Sequence, residues 1–272
     1  MSNIAINIAH LSDLHFGAAS STAIDALHSD LSERKPELVI ITGDLTQEGR
    51  KKEFEEARDF LSTIKARTFI VPGNHDLPVR NLWARFVSPY NRFQRYISDA
   101  INPVWADERL ALIGLNSARR AALDVNWSYG RLSRRQIDDA VTQLRNTKTG
   151  AIKIVAAHHP FIRGPGRAGA RIVERGGEAL TAFADNGLDI ILTGHVHKSK
   201  AEIVTAGARG VIVIQAGTAT SGRTRGEPPS YNILNASPAG VTVETVTLEG
   251  NIFETAGKSS FIPQEEQGWA PN

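Results

Sequence analysis

Five short motifs in this chain could hold metal ions: Asp13-Leu-His15, Gly43-Asp44, Gly73-Asn74-His75-Asp76, His158-His159-Pro160 and Gly194-His195-Val196-His197. Together they offer carboxylates, imidazoles and one carboxamide. These are oxygen and nitrogen donors of intermediate hardness, suited to zinc, manganese, iron or cobalt rather than to an all-oxygen calcium site. Residues two apart in extended backbone point to one face, so Asp13 with His15, and His195 with His197, are expected to act as chelating pairs at the two ends of the site. Glycines beside Asp44, Asn74 and His195 remove bulk and let the backbone turn sharply around an ion. Singly, each motif is weak. Gly-Asp is commonly a turn, Asn-His-Asp after Pro-Gly is readily an Asx-capped turn, and His-His-Pro can close a strand. Their conjunction carries the reading, because each follows an apolar run and opens a loop.

Those runs are the elements that must position the motifs. Ile4–Ala9, Leu38–Thr42, Thr68–Val71, Leu110–Leu115, Ile152–Ala157, Ile190–Leu192, Ala201–Val204 and Val211–Ala216 read as buried strands. Helical patterns over Ser21–Arg34 and Glu48–Lys65 separate the early ones, so the first half alternates as parallel α/β units do. Loops beyond the carboxyl ends of such strands converge on one crevice. After about residue 200 strands follow one another, through Tyr231–Leu234 and Val241–Leu248, which predicts antiparallel pairing in a second sheet. Between Val79 and Asp99, Trp83, Phe86, Tyr90, Phe93 and Tyr96 form a stripe that reads as core, and Pro89 is expected to split this segment into two helices. Ser133 and Gln136 have the spacing of a capping box before Ile137–Leu144. Residues from about 250 to 272 are expected to form an extended or mobile tail of a single domain spanning 1–272.

Composition narrows the chemistry. The 272 residues include no cysteine, which excludes disulfides, thiolate ligands and cysteine nucleophiles. The net charge of +2, from 31 basic and 29 acidic residues, gives no global reason to expect nucleic acid. Arginines do cluster, at Arg119–Arg120, at Arg131, Arg134 and Arg135, between Arg163 and Arg175, and at Arg223 and Arg225, although any one such cluster reads most simply as a solvated face. No apolar stretch approaches membrane-spanning length and the first residues lack a signal-peptide core, so a cytoplasmic protein is expected. A homo-oligomer is compatible with the sequence.

The motif set resembles the calcineurin-like metallophosphoesterase superfamily, whose pattern is Asp-x-His, Gly-Asp, Gly-Asn-His-Asp/Glu, His and Gly-His-x-His. The matching residues span 13 to 197, and no motif position departs from the pattern. The chain length resembles the bacterial class III cyclic-nucleotide phosphodiesterases. That resemblance implies a four-layer α-β-β-α sandwich with two mixed sheets and a dinuclear metal site at the strand ends. It places Asp13, His15 and His197 on one divalent ion, Asn74, His158 and His195 on the other, and Asp44 between them. It favours His158 over His159 because the family ligand lies two residues before the proline. His75 is not needed as a ligand and resembles the group that protonates the leaving oxygen, with Asp76 orienting its ring. His159, Arg163 and Arg167 are the candidate substrate-binding residues. Two ions so held would lower the pKa of a bridging water and supply hydroxide at neutral pH. The implied activity is a metal-dependent phosphodiesterase acting on small diesters of cyclic-nucleotide or glycerophosphodiester type. The alternative is a phosphomonoesterase or nucleotide-sugar-lipid pyrophosphatase, for which the Arg163–Arg175 segment would grip a second phosphate.

Overall fold

The computed structural model describes residues 5–120, 128–163, 172–221, 227–265 and 267–272. The elements run β1 (Ile6–Leu11), α1 (Ser21–Arg34), β2 (Leu38–Thr42), α2 (Lys51–Thr63), β3 (Arg67–Val71), α3 (Leu82–Val87), α4 (Asn91–Tyr96), β4 (Val104–Ala106) and β5 (Leu110–Leu115). They continue with α5 (Arg134–Asn146), β6 (Ile152–Ala157), α6 (Gly176–Ala184), β7 (Ile190–Thr193), β8 (Lys200–Ala206), β9 (Arg209–Gln215), β10 (Ser230–Ser237), β11 (Gly240–Glu249), β12 (Ile252–Gln264) and β13 (Gly268–Pro271).

The strands that precede the motifs are apolar at nearly every position because both of their faces are covered. In β1 and β2, Ile6, Ile8, Leu38 and Ile40 enter one apolar cluster, whereas Ala9, Leu11, Val39 and Ile41 enter a second with α1 and α2. In β5, β6, β7 and β9 the even-numbered Leu112, Ile154, Leu192 and Ile212 join that same first cluster, and the odd-numbered Ile113, Val155, Ile191 and Val213 pack with α5 and α6. The period of two along each strand therefore divides the core, and the wing β1–β3 faces the wing β5–β7–β9 across a shared apolar layer.

The fold is α/β with one mixed, curled sheet. The expectation of two separate sheets is corrected: hydrogen bonding runs unbroken in the order β3-β2-β1-β10-β11-β12-β13-β9-β7-β6-β5-β4, with β8 paired to β9. Within the wings β1–β2, β2–β3, β5–β6, β6–β7 and β7–β9 are parallel, while β10 and β11 pair antiparallel as expected and β12 adds antiparallel to β11. The join is made by residues read from the sequence as a tail. In place of a mobile end, β12 runs for 13 residues and β13 lies between it and β9. Gly268, at φ +80°, touches Gly210 so closely that a Cβ on it would stand 2.4 Å from the Gly210 carbonyl oxygen. The buried Trp269 donates its indole N–H to Asp189 Oδ1 at 2.8 Å.

The 79–99 stripe is also corrected. The chain breaks at Ser88-Pro89 into α3 and α4, as the proline predicts, but only Phe93 is buried, and Trp83 and Phe86 are 78% and 50% exposed. Helices of six residues are too short to carry one continuous stripe, so the two faces do not align. The capping box of α5 forms as expected, with Ser133 Oγ accepting from Gln136 N. Among the described residues no helix is long and apolar enough to cross a membrane.

Trp269→Phe should keep the packing and strand Asp189 Oδ1 in the interior, since Asp189 Oδ2 is already taken by the Lys153 amide. The expected loss is about 1–3 kcal/mol of unfolding free energy, read by urea denaturation; an unchanged midpoint would mean that the β13 join contributes nothing through this bond.

Candidate metal centre

Each motif sits just past the carboxyl end of a parallel strand: Asp13 after β1, Asp44 after β2, Asn74 and His75 after β3, His158 after β6 and His195 and His197 after β7. The first three strands belong to one wing and the last two to the other, so the residues meet where the wing ends converge. Clusters of candidate ligand atoms within 4.8 Å of one another comprise Asp13, His15 and His197; Asp13, Asp44 and His158; and His158, His159 and His195.

The local backbone differs from the expected extended pairs. Asp13, His15, Asp44, His195 and His197 all have positive φ, between 49° and 70°, and they are five of the seven such non-glycine residues among those described. Left-handed backbone costs of order 1 kcal/mol or more per residue for a non-glycine side chain. It reverses the chain at each motif, and this, rather than strand geometry, brings both members of each pair to one place. Neighbouring glycines clear the space: a Cβ on Gly73 would lie 2.1 Å from Asp44 Oδ1, and one on Gly194 would lie 1.8 Å from Ser12 Oγ.

Asp13, Asp44 and His158 are tied down by one atom and point another inward, whereas the Nδ1 atoms of His15 and His197 are buried without a hydrogen-bond partner. Asp13 Oδ2 accepts from Ser12 Oγ at 2.6 Å and from the His195 amide at 2.9 Å. Its Oδ1, buried with no aligned donor, stands 3.0 Å from His197 Nε2 and 3.5 Å from His15 Nε2. Asp44 Oδ1 accepts from the His75 amide, and Oδ2 lies 3.2 Å from His158 Nε2 and 4.0 Å from His15 Nε2. His158 donates from Nδ1 to the Thr42 carbonyl at 2.7 Å, which turns Nε2 toward Asp44 and toward His195 Nδ1 at 3.2 Å. The two Nε2 atoms of His15 and His197 face each other at 3.5 Å. Asn74 Oδ1 is buried without a hydrogen-bond partner. Lone pairs and carboxylate oxygens this close and this buried repel one another unless a cation lies among them.

The proton balance points the same way. Burial would push the Asp44 carboxyl up, but the neighbouring His158 and His75 hold it below the ordinary carboxylate range. His158, buried too, is nonetheless raised to about 9 by the charges of Asp44 and Asp13. Burial and the His158 charge lower His195 to about 3. The carboxylates thus favour protons on the imidazoles that face them, His158 and His15, and a divalent ion would take the place of such protons, since metal binding displaces them from its ligands. The donor set fits a pair of such ions.

Two expected site roles are not what the geometry provides. Asp76 does not orient His75. Its Oδ1 accepts from the Thr46 amide and hydroxyl at 2.9 and 3.1 Å and its Oδ2 from the Gly73 amide at 2.9 Å, so it pins the Asp44 loop to the Asn74 loop. The His75 ring is fixed instead by Nδ1 donating to the Gln47 carbonyl at 2.7 Å. His159 is buried with both nitrogens engaged, Nδ1 by Ser117 Oγ at 2.8 Å and Nε2 by the Ser128 carbonyl at 3.0 Å, which leaves no ring atom for substrate. Arg163 is exposed just beyond the His158 loop, and Arg167, like Arg223 and Arg225, lies outside the described residues.

Sequence reasoning missed the support beneath Asp13-Leu-His15. Buried Thr218 and Thr220, past the end of β9, donate their hydroxyls to the Asp13 and Leu14 carbonyls at 2.8 and 2.5 Å, and the Ala219 amide donates to the Ser12 carbonyl. The available signal was the same pattern of strand, glycine and turn, at Gly217-Thr218-Ala219-Thr220-Ser221, without a metal-binding residue type.

The chain resembles known proteins in family and in fold. The sequence matches the calcineurin-like phosphoesterase family over residues 6–199. It is 24% identical over 206 residues to a probable cyclic nucleotide phosphodiesterase of Synechococcus sp., covering 72% of this chain and 75% of that one. It is 26% identical over 174 residues to a probable glycerophosphodiester phosphodiesterase of Arcobacter nitrofigilis, covering 63% of this chain and 60% of that one. The fold matches a crystal structure of a dimetal phosphatase from Danio rerio with a TM-score of 0.67 at 11% identity, over 94% of this chain and 98% of the other.

Thr218→Val removes one hydroxyl and leaves the Asp13 carbonyl unsatisfied in the interior. It should weaken divalent-metal affinity by roughly 10–100-fold, with Thr218→Ser restoring most of it. Metal titration by calorimetry decides, and equal affinities for the Val variant and the wild type would remove Thr218 from this role.

Proposed function

The chain belongs to the calcineurin-like phosphoesterase family and is a phosphoester hydrolase, and from that premise we propose that it is a dinuclear metal-dependent phosphodiesterase acting on small diesters of cyclic-nucleotide or glycerophosphodiester type. The observation that carries the proposal is the set of buried, inward-facing donor atoms: Asp13 Oδ1, Asn74 Oδ1 and the Nε2 atoms of His15, His158 and His197, each left unsatisfied or set against another donor of its kind. In this reading Asp13, His15 and His197 hold one divalent ion, Asn74, His158 and His195 the other, and Asp44 reaches both. The four-layer α-β-β-α description of the wings and their helices, with the site at the strand ends, belongs to the same reading. Two such ions would lower the pKa of a water to supply hydroxide and would offset charge developing on the phosphoryl oxygens.

The remaining work falls to the chain's own groups. Two dications against two carboxylates leave the cradle at about +2, which suits a phosphate ester anion. His75, with Nδ1–H committed to the Gln47 carbonyl, presents Nε2, from which the imidazolium form would hand its second proton to the leaving oxygen and return to the neutral ring. Asp76 serves by locking two loops together, and burial together with the Asp44 charge raises its carboxyl to about 6. Arg163 remains the proposed cation beyond the His158 loop, and Arg167, outside the described residues, stays a candidate from the sequence alone.

His195→Ala and Asn74→Ala should each lose one ion and most activity, whereas His75→Ala should keep both ions and slow turnover by about 10²–10⁴-fold. Metal analysis beside steady-state kinetics decides: full occupancy in the first two variants contradicts the ligand assignment. Activity toward a chromogenic diester should exceed that toward the matching monoester, and the reverse ratio favours a phosphomonoesterase.

A further inference from the structure

Beside the metal cradle lies an open cavity of about 760 Å³, between the break that separates α3 from α4, the loop leaving β5 and the start of α5. Its described lining includes Arg119, Arg120 and Arg131 together with the carboxamides of Asn102, Asn116 and Gln136, and it contains no carboxylate. Cavity and cradle share a wall. Asn116 and Ala118 line the cavity, and Ser117 between them bonds His159, the residue after His158. The Arg131 amide donates to the Ser117 carbonyl, and the Tyr90 hydroxyl donates to the Ala118 carbonyl at 2.8 Å, so both sides of the cavity are fixed to that wall.

Arg119 and Arg131 are held in place yet not neutralised, and Arg120 beside them is exposed. Arg119, Arg131 and Arg175 all pair with the single carboxylate of Glu174, which leaves two of those three positive charges without an opposite one from it. The Arg119 Nε–H is buried with no acceptor among the described residues. Guanidinium groups pre-arranged in this way are suited to a phosphoryl group, which accepts hydrogen bonds from several directions and carries the missing charge.

Resting on the phosphodiesterase reading, we infer that this cavity receives a second phosphoryl group on the organic part of the substrate, so that the enzyme prefers diesters bearing a distal phosphate. Arg120 and Arg131 provide the contact that separates such substrates from uncharged ones. The chemistry would equally recognise a free phosphate ion, and the experiment distinguishes the two sources.

The test uses two chromogenic esters with the same scissile bond, thymidine 5′-(4-nitrophenyl phosphate) with and without a 3′-phosphate, on the metal-reconstituted enzyme. The 3′-phosphorylated ester should have a KM lower by about tenfold, equivalent to about 1.4 kcal/mol. Arg120→Gln and Arg131→Gln should each remove most of that advantage, and Arg58→Gln, on the exposed face of α2, should retain it. Equal KM values in the wild type, or an advantage that survives both cavity variants, overturn the inference. Binding of thymidine 3′,5′-bisphosphate against thymidine 5′-phosphate is measured in parallel by calorimetry. If neither ester is hydrolysed but the bisphosphate still binds about tenfold tighter in an Arg120- and Arg131-dependent way, the phosphodiesterase reading fails and the anion site stands. If inorganic phosphate binds with that arginine dependence while the ester and nucleotide pairs show no difference, the cavity takes a free anion and the substrate assignment falls.

Discussion

Two carboxylates and a ring of imidazoles share a volume from which water is almost excluded, and the protein is organised around making that tolerable. Asp13 and Asp44 are shielded from solvent, and each spends one oxygen on backbone or hydroxyl donors while the other faces imidazole nitrogens. Against their burial, the charges of Asp44 and Asp13 raise the pKa values of His158 and His15. In the proposed reading, divalent ions would be held by the same atoms. Asp13, Asp44 and His158 are held in that volume by anchored outer atoms.

Holding them there demands backbone that non-glycine residues avoid. Left-handed turns at Asp13, His15, Asp44, His195 and His197 persist because loops from other strands over-determine them. The Asp13 and His15 amides donate to the Gly43 and Asp44 carbonyls, the threonines after β9 hold the carbonyls of the same loop, and Asp76 ties the Asp44 turn to Gly73. Strain in one loop is offset by hydrogen bonds from three others. The wings' shared apolar layer keeps those loops in register, and the strand order closes through β13.

The family's chemistry leaves open which organic group a given member accepts, and here the cavity flanking β5 bears on that choice. Its wall is continuous with the metal cradle through Ser117 and His159. His159, read from the sequence as a substrate contact, acts through that wall as a brace.

The sequence alone determined the strands that are covered on both faces, since uninterrupted apolar runs such as Leu38–Thr42, Leu110–Leu115 and Ile152–Ala157 have no other soluble use. It also determined the ligand types, because the chemistry of Asp, Asn and His does not depend on their setting. Tertiary structure decided every feature that depends on contact between distant parts of the chain. The terminal residues become β12 and β13 because Gly268 and Trp269 find Gly210 and Asp189, which no local periodicity encodes. Asp76 braces loops and Gln47 orients His75 because hydrogen bonds are chosen by distance and direction, not by adjacency in sequence. Local patterns report burial and residue chemistry. Partners, protonation and strain are fixed only when distant strands meet.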